Sequence, residues 1–284
     1  MEFIKMHGLG NDFVFLDQFE SVTDLGDRSY PELALKLCHR QFGVGGDGLI
    51  VVLPSEQADA KMRIFNSDGS EPEMCGNGIR CFARYIYDQG YVKKNPLQVE
   101  TLAGILTLQL ALEGDRVTGV TVDMGEPILK PEFIPVRAQR EPVVAETIQV
   151  EGQEFKFTAV SMGNPHCVIF MENYESLDFE RWGPAIEKHA LFPRKTNVEF
   201  IVVNNRNELT MKVWERGAGP TLACGTGACA SAVGAVLNGK TERKVTVHLP
   251  GGDLLIDWGS DNRVYMTGPA TYVFRGIVLE DSLY

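Results

Sequence analysis

The sequence predicts an α+β protein of two pseudo-symmetric domains that arose by duplication, each a curved, mostly antiparallel sheet wrapped around a central helix. Three observations carry this expectation. The run from Asn66 to Gly78 opens a helical stretch that stops at Gly90, and a similar run from Glu215 to Gly227 opens one that stops at Gly239. Cys75 and Cys224 are 149 residues apart, and so are the two stopping glycines. Gly10-Asn11, between two strand-like runs, is answered by Gly163-Asn164 in the same setting. The expected domains are residues 1–123 with 271–284, and residues 124–270.

Phe3 to Asp17 reads as two short strands around a glycine turn, and residues 31–40 as a short helix with Leu33, Leu37 and Cys38 inward. Gly43-Val44-Gly45-Gly46-Asp47-Gly48 then matches the GxGxxG spacing of a dinucleotide site. That fingerprint follows a strand and opens a helix, whereas this run precedes the apolar strand 49–53, so the dinucleotide reading fails. Strands over 61–65 and 210–214 lead into the two cysteine loops. After Cys75, Ile79, Phe82, Ala83 and Ile86 keep helical spacing, with Arg80 and Arg84 on another stripe. After Cys224 the helix is small or apolar all round and should be surrounded by protein. Alternating strands follow each helix. Residues 131–146 read as an irregular elaboration, and the strand 272–278 is expected to return to the first domain.

Composition bounds the function. A chain of 284 residues with 44% hydrophobic and 23% charged residues describes a soluble globular protein. A formal charge of −11 without a basic cluster argues against nucleic acid. No run reaches the roughly 18 apolar residues of a membrane span, and Met1-Glu2-Phe3-Ile4-Lys5 does not begin a signal peptide, so a cytoplasmic protein is expected. Six cysteines without CxxC spacing fit reduced thiols better than disulfides or zinc, and no metal is expected.

A Cys-Gly-X-Gly sequence at a helix start places the sulfur beside the free N–H groups of the first turn, where the dipole favours a thiolate. The bare glycine backbone also suits a bound carboxylate. Cys38, Cys81, Cys167 and Cys229 lack that setting and read as packing. Two such helix starts facing one cleft would put a sulfur on each face of an amino acid's Cα, one thiolate removing the proton while the opposite thiol donates another. Nothing here requires pyridoxal phosphate, and no cofactor is expected.

Asn66-x-Asp68-Gly69-Ser70-x-x-x-x-Cys75-Gly76-Asn77-Gly78-x-Arg80, with Glu215-Arg216-Gly217 and Ala223-Cys224-Gly225-Thr226-Gly227, resembles the two cysteine motifs of the diaminopimelate epimerase family. The resemblance extends through Gly10-Asn11-Asp12-Phe13 and Gly163-Asn164-Pro165-His166 over essentially the whole chain. It implies that family's fold and a cofactor-independent isomerase interconverting LL- and meso-diaminopimelate for lysine and cell-wall precursors. Cys75 and Cys224 would be the acid/base pair, with Cys75 serving the LL direction. Gly76, Asn77, Gly225 and Thr226 would hold the reacting carboxylate, and Asn11 and Glu215 the ammonium. Asn66, Asn164, Asn197 and Arg216 would read the distal end. A homodimer is also implied. Some family members carry a side-chain amide where this sequence has Gly48, and others share the Gly-Asp-Gly form.

The residues alone leave other readings open. Asn66, Asn164 and Asn197 stand at strand–loop junctions where asparagine also forms turns, and His166 reads as a structural histidine. A proline or hydroxyproline inverter, a thiol redox protein and an amino acid-binding module are the competing functions.

Overall fold

A computed structural model describes residues 1–20 and 28–279. Residues 280–284 of the expected 271–284 segment lie outside the described residues. The chain runs β1 (Glu2–Gly8), β2 (Asn11–Asp17), α1 (Tyr30–Leu37), β3 (Gly48–Leu53), β4 (Ala60–Asn66), α2 (Gly76–Asp88), β5 (Leu97–Thr101), β6 (Gly104–Glu113) and β7 (Arg116–Asp123). It continues β8 (Glu146–Val150), β9 (Gln153–Ser161), β10 (Pro165–Met171), α3 (Phe179–Glu187), β11 (Asn197–Asn205), β12 (Glu208–Glu215), β13 (Gly219–Pro220) and α4 (Gly225–Leu237). It ends with β14 (Lys244–Leu249), β15 (Gly252–Trp258), β16 (Val264–Gly268) and β17 (Thr271–Ile277). This is the expected α+β architecture of curved, mostly antiparallel sheets around central helices.

The chain divides into two compact units, Met1–Val122 with Gly268–Tyr284, and Asp123–Thr267. In the first, the sheet order is β17-β1-β2-β3-β4-β5-β6-β7, antiparallel except that β2–β3 and β4–β5 are parallel. In the second, β8-β9-β10-β11-β12-β14-β15-β16 has the same order of senses, with β10–β11 and β12–β14 parallel. A parallel pair cannot be joined by a hairpin, and each of these four is bridged by a helix, α1, α2, α3 and α4 in turn.

Helices on both faces explain the apolar strands at the centre of each sheet. Leu49 and Val51 of β3 pack with Leu33, Ala34 and Leu37 of α1. On the other face Ile50 and Ile64 close on Gly78 of α2, where an added Cβ would meet their Cδ1 atoms at 3.1 and 3.2 Å. In the second unit Val198 and Phe200 of β11 share a core with Ile186 of α3. The irregular stretch between β7 and β8 adds Ile134, Val136 and Val143 to that core. α4 is buried from Gly227 to Ala235, as its uniformly small sequence requires.

α3 is an element that reading the sequence did not anticipate. Pro184 interrupts its pattern, and its signal lay in the duplication, since Phe179 stands 149 residues after Tyr30 at the start of α1. No helix among the described residues is long and apolar enough to cross a membrane.

Candidate active site

Cys75 and Cys224 occupy the same position in their units. Each is the N-cap of its helix with extended backbone, φ −138° and ψ 119° at Cys75, φ −124° and ψ 107° at Cys224. The carbonyl of each accepts the first helical bond, from the N–H of Ile79 and of Ala228 respectively, both at 2.9 Å. A cap in this geometry leaves the N–H groups of the following Gly-Asn-Gly or Gly-Thr-Gly outside the helical ladder, where they can bond an anion or the cap sulfur itself, as Gly227 does at Cys224.

In the first unit the Cys75 thiol donates to Asn11 Oδ1 at 3.7 Å. Asn77 Nδ2 donates to the same oxygen at 3.2 Å. Behind Asn77 lies Arg80, which is wholly buried and donates to Asn77 Oδ1 at 2.8 Å, Gly76 O at 3.0 Å and Pro269 O at 3.2 Å. Helical spacing alone had set Arg80 apart from the apolar face; the carbonyls and amide around it are what make its burial tolerable. On the far side, Asp47 accepts from Asn11 Nδ2 at 2.7 Å. Its neighbour Asp12 is bridged by Lys5 at 2.7 Å and Arg40 at 2.9 Å. Burial pushes Asp12 up, but hydrogen bonds from Arg40 and Lys5 and the charge of Lys5 outweigh it and hold the carboxyl at about 2. Asn66 is exposed and donates from Nδ2 to Ser70 Oγ at 2.9 Å within its own turn.

In the second unit the Cys224 sulfur lies 3.6 Å from Thr226 Oγ1, which accepts from Asn164 Nδ2 at 3.2 Å. Asn164 Oδ1 is 3.0 Å from His166 Nε2, and His166 Nδ1 is 2.6 Å from Glu199 Oε1. Both members of that hydrogen-bonded pair are fully buried, and Glu199 Oε2 has no hydrogen-bond partner among the described residues. Burial pushes Glu199 up, opposed by the charge and hydrogen bond of His166.

The environment of Cys224 reverses the expectation of an easily formed thiolate. Burial, and then the charges of Glu215 and Glu199, push this thiol well above its ordinary range against hydrogen bonds from Thr226 and Gly227. Desolvation and two carboxylates therefore outweigh the helix start.

Asn197 donates to Pro165 O and accepts from the backbone N–H of Arg216, both at 2.9 Å, so its amide holds the loop that carries Arg216. The Arg216 side chain is exposed and donates to Arg194 O at 3.2 Å. Glu215 accepts from the Thr221 hydroxyl. Glu187, on α3, braces the same loop by accepting from Trp214 Nε1 at 2.9 Å and Gly217 N at 3.2 Å.

Sequence reasoning singled out neither Glu199, Glu187 nor Asp47. The duplication could have flagged Glu199, because it stands 149 residues after the apolar Ile50 of β3. No three or more His, Cys, Asp or Glu side chains among the described residues are grouped to hold a metal ion.

The fold and these paired cysteine caps define a class: duplicated α+β proteins with one thiol at a helix start in each half. Solved structures that share the fold include a phenazine biosynthesis protein of the PhzF family from Bacillus anthracis, with a TM-score of 0.70 at 17% identity over 98% of this chain and 99% of that one. A probable proline racemase from Agrobacterium radiobacter gives 0.68 at 14% identity over 99% and 93% of the two chains. The model of the diaminopimelate epimerase family matches residues 3–130 and 158–273, and the chain belongs to that family. It is 79% identical over the full length of both chains to a diaminopimelate epimerase from Desulfitobacterium hafniense. It is 60% identical to one from Moorella thermoacetica, over 97% of this chain and 98% of the other.

Proposed function

We propose that this protein is an isomerase that interconverts LL- and meso-diaminopimelate without a cofactor, by proton transfer between the substrate α-carbon and the thiols of Cys75 and Cys224. The observation that carries the reading is the repeated cap: one sulfur beside first-turn N–H groups outside the helical ladder in each half of a chain whose full-length relatives bear that activity's name. One sulfur, as thiolate, takes the α-proton, and the other thiol returns a proton to the opposite face, so the product has inverted configuration. Negative charge developing on the reacting carboxylate is met by N–H groups of Gly76, Asn77, Gly225 and Thr226, which stabilise it most in the transition state. The Asn11 and Glu215 oxygens accept from the ammonium. Arg216 offers a guanidinium fork to the distal carboxylate, with Asn66, Asn164 and Asn197 ordering that end. On the same reading the enzyme works in the cytoplasm as a homodimer, in lysine and cell-wall precursor synthesis.

Purified, reduced protein incubated with LL-diaminopimelate in deuterium oxide is expected to yield meso product carrying solvent deuterium at Cα. Cys75→Ala and Cys224→Ala should each lower the rate by at least about 10²-fold, the scale of a lost general acid or base. Turnover of proline or hydroxyproline in place of diaminopimelate would keep the chemistry and replace the substrate. Unchanged activity in either variant would end the two-thiol reading.

A further inference from the structure

We infer that Asp47 is a positioning residue that sets the direction of the Asn11 amide beside Cys75, and that the glycine-rich loop before β3 serves to carry it there. The loop is folded back on the chain. Gly45 N donates to Leu37 O at 2.9 Å, Gly46 N to Cys38 O at 3.1 Å and Asp47 N to Asp12 O at 2.8 Å, while Lys5 Nζ donates to Gly45 O. Gly45 has φ +81°, and a Cβ on Gly46 would come within 2.9 Å of Lys5 Nζ. These glycines bring the Asp47 carboxylate to β2.

That carboxylate accepts from both sides. Oδ2 takes Asn11 Nδ2 at 2.7 Å and Asp12 N at 3.0 Å, and Oδ1 takes Arg40 at 2.7 Å. A side-chain amide can ordinarily turn either end to a partner, and its orientation follows from groups whose roles are fixed. Here both ends of the chain have one role only. Arg80 can only donate, so Asn77 faces it with Oδ1 and presents Nδ2 to Asn11; the Asp47 carboxylate, paired with Arg40, can only accept, so Asn11 faces it with Nδ2 and presents Oδ1 to Asn77 and Cys75.

The second unit lacks this device. There the corresponding asparagine, Asn164, lies between the His166 ring and the Thr226 hydroxyl, and imidazole and hydroxyl can each donate or accept. Direction is built in only on the Cys75 side. Its consequence, which rests on the function proposed above, is that Asn11 offers the substrate an acceptor, suited to an ammonium and wrong for a carboxylate. A reversed Asn11 would set its NH₂ against that of Asn77 and against the ammonium.

The test is a double-mutant cycle on kcat/KM for LL-diaminopimelate, with thermal unfolding followed in parallel. Asp47→Asn can show Asn11 either end of its own amide, and is expected to lower kcat/KM about 10- to 100-fold, as small misplacements of positioned groups do. Introduced into an Asn11→Ala background it should cost nothing further, because Asp47 acts through Asn11. Equal losses in both backgrounds, or no loss in the native one, would overturn the inference. Asp47→Ala replaces Asp47→Asn in the cycle if the latter does not fold. A native protein that leaves LL-diaminopimelate unexchanged defeats the functional reading instead. The positioning role is then read from the side-chain amide resonances of Asn77, which Asp47→Asn should shift through Asn11 although Asp47 is no partner of Asn77. Unmoved Asn77 resonances would refute it.

Discussion

At the scale of single residues, the two cysteines share a backbone position but not an electrostatic one. Cys75 has an amide oxygen and, behind Asn77, the Arg80 guanidinium; Cys224 has two carboxylates, Glu215 and Glu199, which together with burial raise its thiol. A raised thiol is less ionised at a given pH, so Cys224 should be alkylated slowly by iodoacetamide at neutral pH and faster as pH rises. Glu199→Gln keeps an acceptor for His166 and removes one charge. It is expected to move the alkylation profile of Cys224 to lower pH and raise its rate at fixed pH by up to about tenfold, the worth of one pKa unit. Peptide mass spectrometry after timed labelling reads this directly. A profile that stays put, or moves upward, would show that Glu199 does not act on the sulfur.

At the scale of elements, the cysteine helices start where they do because local signals agree: an extended cap, glycines beside it, and a glycine in the left-handed region after the last turn, φ +83° at Gly90 and +67° at Gly239. β3 is constrained differently. Gly48 pairs with Phe13 on one side and Asn66 on the other, and a Cβ there would stand 2.7 Å from the carbonyl oxygen of Phe65. Backbone held in two ladders has little freedom to yield. Gly48→Gln, which would place a side-chain amide here, is therefore expected to destabilise this chain by about 1–3 kcal/mol rather than add a substrate contact. A lower melting temperature with no improvement in KM is the expected result; equal stability with a lower KM would mean that β3 can move aside. The residue at the equivalent position in the second unit, Asn197, is accommodated and spends its amide on Pro165 and Arg216.

At the scale of the molecule, the first unit is completed from the far end of the chain. β17 pairs with β1 from Glu2 to His7, Phe274 meets Phe3 edge-on with ring centroids 5.8 Å apart, and Met1 and Val278 exchange backbone bonds. The carbonyls just before β17 serve α2: Pro269 accepts from Arg80 and Ala270 from Arg84. Ending the chain at Gly268 removes a strand and takes an acceptor from a buried guanidinium, a loss of about 1–3 kcal/mol for that group alone. Such a truncated protein should lose hydrogen-exchange protection in β1, β2 and α2 while β9, β10 and α4 keep theirs. Uniform loss across both units would mean that they unfold as one.

The sequence by itself determined the duplication, the two helix starts with their cysteines, and most strands, because caps, glycine stops and alternation are written in neighbouring residues. It could not determine what surrounds each sulfur. The burial of Arg80, the clasp of Asp47 on Asn11, the His166–Glu199 pair and the brace of Glu187 under the Arg216 loop mostly join residues distant along the chain, without periodicity to announce them. Only the tertiary structure decided these, since a buried polar group takes whatever partner the packing brings within hydrogen-bond reach, and that partner sets its direction and charge.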